Sequence, residues 1–133
     1  MQIKLKTERS ILVVEDDQIT RNALVYLLKR LGYRVDAAGT VADGLAQLNG
    51  QHFAILDLNL SDGIGTTILD RIRSEKRPIR VAVASGTEDD RLWGNAAKYK
   101  PDLLLRKPLN VNEILAWLGT ANQSLTLTSL PDN

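Results

Sequence analysis

Five short apolar runs at nearly regular intervals constrain this chain more than any other feature. They are Ile11 to Val14, Arg34 to Ala38, Phe53 to Leu56, Arg80 to Ala84 and Leu103 to Leu105, with starts 23, 19, 27 and 23 residues apart. Such gaps are too wide for hairpins and suit a strand, a helix and two loops per repeat. The segments between them carry helical spacing. Ile19, Ala23, Leu24, Leu27, Leu28 and Leu31 predict one inward face, with Gly32 as its stop. Thr40 with Asp43 three residues on predicts the cap of a second helix that closes near Asn49-Gly50. A third spans about Gly65 to Arg73 with Ile68, Leu69 and Ile72 inward. Thr87 and Asp90 predict the cap of a fourth, whose apolar face of Leu92, Ala96 and Tyr99 is thin. Asn110 with Glu113 starts a fifth, with Val111, Ile114, Leu115 and Leu118 inward.

Strand and helix alternating five times require a parallel sheet, because parallel neighbours need crossover helices. Right-handed crossovers put helices on both faces. The first and fourth runs are apolar without alternation, as strands covered on both sides should be. The expected fold is therefore an α/β, doubly wound, five-stranded parallel sheet with five helices. The 133 residues hold one such domain, which we place at 10–119 after an N-terminal arm at 1–9. Residues 120–133, with their Ser124 to Thr128 alternation, read as a tail or linker.

The absence of Cys and the single His exclude a thiol nucleophile, a disulfide framework, a zinc ribbon and a multi-His metal site. His52 reads as a plain strand-entry residue. A net charge of +1 gives no overall field for nucleic acid. Arg71, Arg73, Lys76, Arg77 and Arg80 read as a solvated basic face. No apolar run reaches the ~18 residues of a membrane span, and Met1 to Ser10 lacks a signal-peptide pattern, so a cytoplasmic location is expected. Trp93 and Trp117 lie slightly off the inward stripes and read as core-edge packing.

In an open α/β sheet, ligands bind at the carboxyl ends of the strands. After the first run come Glu15, Asp16 and Asp17; the third ends in Asp57; the fourth leads into Ser85 and Gly86-Thr87; the fifth leads into Lys107-Pro108. All converge on one edge. Clustered carboxylates repel unless they share a cation, and Mg2+, with its oxygen ligands and retained waters, is the simple choice. A carboxylate beside such an ion can attack phosphorus to give an aspartyl phosphate, with Lys and a hydroxyl neutralising charge. Asp17 reads as a helix cap. The Asp57 to Ser61 segment is no calcium loop, because Asp62 and Ile68 stand where Gly and Glu are needed. Gly63-Ile64-Gly65 follows the wrong strand for a dinucleotide fingerprint, and no phosphate-binding Gly-Lys-Ser or Gly-Lys-Thr exists.

Ile11-Leu12-Val13-Val14-Glu15-Asp16-Asp17, Leu56-Asp57-Leu58-Asn59-Leu60, Ala84-Ser85-Gly86 and Arg106-Lys107-Pro108, in that order, resemble the receiver domain of two-component response regulators over roughly Ser10 to Leu118. The resemblance implies a flavodoxin-like strand order of 2-1-3-4-5 and a phosphoacceptor at Asp57, charged from a phosphohistidine on a histidine kinase or phosphotransfer protein. It implies Mg2+ held by Asp16 and Asp57, by Glu15 mostly through water, and by the backbone carbonyl of Asn59. It gives Ser85 and Lys107 the phosphoryl oxygen contacts, and makes Lys107-Pro108 the candidate for a cis bond. Such a protein is no enzyme beyond its own phosphorylation and dephosphorylation. It would act on an output domain or downstream protein, with a weak homodimer as one form, and this segment would bind neither nucleic acid nor membrane.

Three places depart from the family pattern, one of them Tyr99-Lys100-Pro101-Asp102, which lacks the Gly-Ala commonly found there. Leu104 stands where many receivers carry an aromatic whose ring turns inward on phosphorylation, which removes the usual coupling to output. Ser61 stands where Pro is common, which predicts a looser loop after Asp57. An interaction module that keeps the fold without regulated phosphorylation is the alternative. A small Mg2+-dependent phosphatase is disfavoured because there is no second general acid beyond this cluster.

Overall fold

All five apolar runs become strands of one parallel sheet. The structure, a computed structural model, describes residues 9–121; but for their inner edges, the arm at 1–9 and the tail at 120–133 lie outside the described residues. The elements are β1 (Ser10–Val14), α1 (Gln18–Arg30), β2 (Arg34–Ala38), α2 (Val41–Ala46), β3 (Phe53–Asp57), β4 (Asn59–Leu60), β5 (Gly63–Ile64), α3 (Thr66–Ser74), β6 (Arg80–Ser85), α4 (Asp90–Lys98), β7 (Leu103–Arg106) and α5 (Val111–Ala121). The main sheet runs β2-β1-β3-β6-β7, every pair parallel. In terms of the five runs this is the order 2-1-3-4-5. The remaining pair, β4 and β5, is a separate antiparallel ribbon that the sequence does not announce.

Alternation along the buried strands divides the core in two. Leu12, Val14, Ala54, Leu56, Val81 and Val83 pack with Ile68, Leu69 and Ile72 of α3 on one face. Ile11, Val13, Phe53, Ile55, Ala82 and Ala84 pack with Leu24 and Leu28 of α1 and with Ile114 and Leu118 of α5 on the other. Phe53 meets Tyr33 and Trp117 edge-on, with centroids 6.1 and 5.4 Å apart, so Trp117 is packing at the core edge as expected. Among the described residues, no helix is long and apolar enough to cross a membrane.

Helix faces differ from the periodic expectation in instructive ways. On α1 only Leu24 and Leu28 are fully buried, while Ile19 is 81% exposed. A helix lying on a sheet buries one stripe, and at 3.6 residues per turn Ile19 lies far around from the Leu24-Leu28 stripe. Val111 likewise faces outward, and Ile114 and Leu118 carry the burial of α5. The second helix stops at Ala46 rather than near Asn49. Buried Gln51 ends it, donating to the Gln47 carbonyl at 2.8 Å and accepting the Asn49 N–H at 2.8 Å. The cap of α4 is Asp89, whose side chain accepts the Arg91 N–H, and not Thr87, which is engaged with Ser85.

The basic stretch is not wholly a solvated face. Arg73 donates to the carbonyls of Tyr99 (3.3 Å), Ile79 (3.1 Å) and Lys100 (2.8 Å) and to Asp102 (3.2 Å), tying α3 to the segment before β7. Arg77 reaches the Asn49 carbonyl at 2.9 Å. Replacing Arg73 by Ala strands part-buried acceptors, and the expected loss in urea-denaturation stability is about 2 kcal/mol. A loss within the scatter of an exposed-residue control such as Arg71→Ala would assign these contacts no weight.

Candidate functional site

Parallel strands ending at one level bring their last residues together. The Glu15 N–H extends the β1 ladder by donating to the Ala38 carbonyl at 3.0 Å, which turns the Glu15 side chain into the sheet edge, where it is 3% exposed. Asp57 closes β3 and is 4% exposed; Asp16 is exposed. Carboxylate oxygens of Glu15, Asp16 and Asp57 all lie within 4.8 Å of one another. From the end of β7, Lys107 places its Nζ 2.8 Å from Glu15 Oε1 and 3.2 Å from Asp57 Oδ2. The peptide that brings it there, Lys107-Pro108, is cis, as expected.

The remaining predicted residues lie around this centre. The Asn59 N–H donates to Asp57 Oδ1 at 3.2 Å, and the Asn59 side chain donates to Ser85 Oγ at 3.4 Å. Ser85, at the end of β6, is buried, and its Oγ also accepts the Thr87 N–H at 3.0 Å. Asp17 caps α1, accepting from the Thr20 N–H at 2.9 Å and the Thr20 hydroxyl at 2.6 Å; those bonds hold its carboxyl below the usual range. His52 is a strand-entry residue whose Nδ1 lies 3.2 Å from the Ser10 N–H.

Charge at the centre is unbalanced. Burial, then the neighbouring Glu15 charge and a Glu15 hydrogen bond, push the Asp57 carboxyl up to about 7 against the opposing pull of Lys107. Burial would lower Lys107, but its bond to Glu15 and the charges of Asp57 and Glu15 outweigh that and hold it above its ordinary value. Three clustered carboxylates against one ammonium, which bonds Glu15 and Asp57, leave a deficit of positive charge among oxygen donors. That donor set fits a hard divalent ion such as Mg2+ and offers nothing for a soft metal.

Three supporting residues escape sequence reasoning. Arg21 donates from Nη1 to the Glu15 carbonyl at 2.8 Å and fastens the acidic loop; its guanidinium occupies space that a side chain at residue 39 would need, since a β-carbon on Gly39 would lie 2.9 Å away. Asp62, between β4 and β5, accepts the Val41 and Ala42 N–H groups at 2.7 and 3.0 Å and so pins the loop after Asp57 to the start of α2. That anchor and the β4-β5 ladder are what fasten the loop that carries Ser61. Gly65 packs so closely that a β-carbon would overlap the Asp57 carbonyl oxygen, which no non-glycine residue allows. Arg21 and Asp62 are ordinary surface residues in sequence; only Gly65, within Gly63-Ile64-Gly65, carries a visible signal.

Beside the carboxylates runs an apolar groove of about 350 Å³ lined by Ile19, Ala23 and Leu27 of α1 and by Lys107, Pro108 and Val111. It explains the outward Ile19 and Val111: both belong to a surface that continues into the site through Lys107.

Residues 11–118 match the family model of the response regulator receiver domain. Similar proteins include the acid tolerance regulatory protein ActR of Rhizobium meliloti, 32% identical over 84% of this chain and 58% of ActR. Another is the transcriptional regulatory protein GltR of Pseudomonas aeruginosa, 38% identical over 81% of this chain and 46% of GltR. The chain thus spans about half the length of these relatives. Among solved structures, a CheY-like receiver domain protein from Methanospirillum hungatei superposes with a TM-score of 0.80 at 23% identity, covering 88% of this chain and 95% of that one. A response regulator from Burkholderia pseudomallei, solved with a phosphorylated aspartic acid, calcium ion and citrate, has a TM-score of 0.75 at 27% identity, covering 92% of this chain and 73% of that one.

Proposed function

The chain belongs to the response regulator receiver domains, and from that premise we propose that it accepts a phosphoryl group from a phosphohistidine onto Asp57, with Mg2+, and switches its partner contacts accordingly. The observation that carries this reading is the buried Asp57 carboxylate, bonded by Lys107 and the Asn59 N–H within reach of Glu15 and Asp16. The phosphorylated aspartic acid and bound cation of the Burkholderia pseudomallei relative support it.

Glu15, Asp16, Asp57 and the Asn59 carbonyl would hold the metal, which when bound supplies charge neutralisation of carboxylate and phosphoryl oxygens. The ionised Asp57 oxygen forms a bond to phosphorus as the bond from phosphorus to the donor imidazole nitrogen breaks, and the electron pair leaves with the imidazole. Lys107 stabilises one phosphoryl oxygen by charge, and the Ser85 hydroxyl donates to another. Attack of water on phosphorus later returns orthophosphate and the Asp57 carboxylate. Beyond this self-modification the domain is no enzyme.

The groove between α1 and Pro108 suits a protein donor, a histidine kinase or histidine phosphotransfer protein, whose helix carries the histidine. An apolar helix face seated on Ile19, Ala23 and Leu27 would end at Lys107, beside the acceptor. The greater length of the relatives, and the name of GltR, support an output domain or separate regulator as the target. Exposed Leu104, in place of the usual aromatic, favours one second reading, an interaction module without phosphorylation-driven switching.

Incubation with Mg2+ and acetyl phosphate separates the two. The native chain is expected to gain the mass of one phosphoryl group, and Asp57→Asn, or native chain in excess EDTA, is expected to gain none. No gain in native protein, even with a cognate kinase, would overturn the proposal.

A further inference from the structure

The site is wired to the α4-β7 face through residue 87, along a route that does not use position 104. Leu104 is 43% exposed and has no ring to turn inward. Thr87 instead faces both ways. Its N–H donates to Ser85 Oγ at 3.0 Å, while its carbonyl accepts the indole Nε1–H of Trp93 at 3.0 Å and an Arg106 Nη1–H at 3.3 Å. The Arg106 guanidinium lies 4.7 Å from the centroid of the Trp93 ring. Strand register makes Arg106 the neighbour of Ser85 across β6 and β7, so both ends of this relay start from one point on the sheet.

Trp93 is 9% exposed and directs its only side-chain donor at Thr87, so a shift of the Thr87 carbonyl obliges the indole to follow or leaves a buried N–H unpaired. Arg106, over the same ring and bonded to the same carbonyl, is placed to move with both. We propose that Trp93 takes the place of the missing aromatic: Ser85, drawn toward the phosphoryl group on Asp57, pulls the Thr87 peptide, and Trp93 with Arg106 carries the change to α4. This rests on the reading of Asp57 as phosphoacceptor and adds how that site is read out.

The test is fluorine NMR of the full chain carrying 5-fluorotryptophan, whose two tryptophans give two resonances assigned with Trp93→Phe and Trp117→Phe. Acetyl phosphate with Mg2+ is added, and intact mass on the same sample gives the phosphorylated fraction. A shift of the Trp93 resonance in proportion to that fraction, with Trp117 stationary, is the expected result. In Ser85→Ala the shift per phosphorylated molecule is expected to be lost. A Trp93 resonance that stays put while the mass increases overturns the relay and leaves the phosphoacceptor reading standing. A shift that survives in Ser85→Ala also overturns it. Absence of any mass gain overturns the phosphoacceptor reading, and the relay falls with it.

Discussion

Asp57→Asn is expected to make the metal-free domain more stable than the native chain at pH 8 and slightly less stable at pH 4. The sign follows from the carboxyl being pushed up to about 7 in the folded state from an ordinary 3.8. A folded group that binds its proton more tightly than the unfolded chain contributes stability at low pH, and loses it as pH rises from about 4 through about 7. At about 1.4 kcal/mol per pH unit, a rise of roughly three units sets an upper limit near 4 kcal/mol for that loss. Asn carries no charge to desolvate, so the variant avoids the loss. It cannot accept hydrogen bonds on both sides, however, and Asp57 accepts from both the Asn59 N–H and Lys107. One lost bond costs about 1 kcal/mol. The balance is a gain of at most about 3 kcal/mol at pH 8 and a loss of about 1 kcal/mol at pH 4. Urea denaturation in EDTA across this range reads both, and the crossing of the two stability curves is the signature. Parallel curves would show that Asp57 does not carry the charge strain of the cluster in EDTA.

The periodicity that fixes the sheet is legible because burial on both faces forces it: Ile11 to Val14 and Arg80 to Ala84 have nowhere to put a polar side chain except at the ends. The same logic made the site legible, since polar residues just past buried strands must converge on one edge, and Glu15, Asp16, Asp57 and Lys107 do. Helix faces were legible only in part. An apolar residue such as Ile19 satisfies the 3.6 pattern whether it packs on the sheet or lines a groove, and sequence cannot tell core from docking surface. The supports of the site were illegible because they act through main chain. Arg21 on the Glu15 carbonyl and Asp62 on two amides of α2 are contacts between a side chain and backbone groups whose positions only the folded chain defines. Gln51 ended α2 in the same way.

Lys107→Ala carries the second large effect, with the opposite sign. The ammonium is the only cation within bonding reach, among the described residues, of the buried Glu15 and Asp57 carboxylates. Removing one member of a buried ion pair costs about 3–5 kcal/mol, because the charge left behind has lost water and gained nothing. Lys107 is itself 26% exposed, so water enters where it stood and the lower end, about 3 kcal/mol at pH 8, is expected. At pH 5 Asp57 is already protonated in the fold, one carboxylate fewer needs the ammonium, and the cost falls to about 1 kcal/mol. The lysine remains charged throughout this range, since its folded value lies above 10.5. The pH dependence of the difference therefore belongs to the carboxylates alone. Mg2+ added at pH 8 should recover more stability in Lys107→Ala than in native protein, because a cation bound to the folded state replaces the missing one. Denaturation at both pH values, with EDTA and with Mg2+, measures all four states, and Lys107→Met separates lost packing from lost charge. An equal cost at pH 5 and pH 8 would mean that Lys107 serves the fold by its methylenes, and that Glu15 and Asp57 do not compete for its charge.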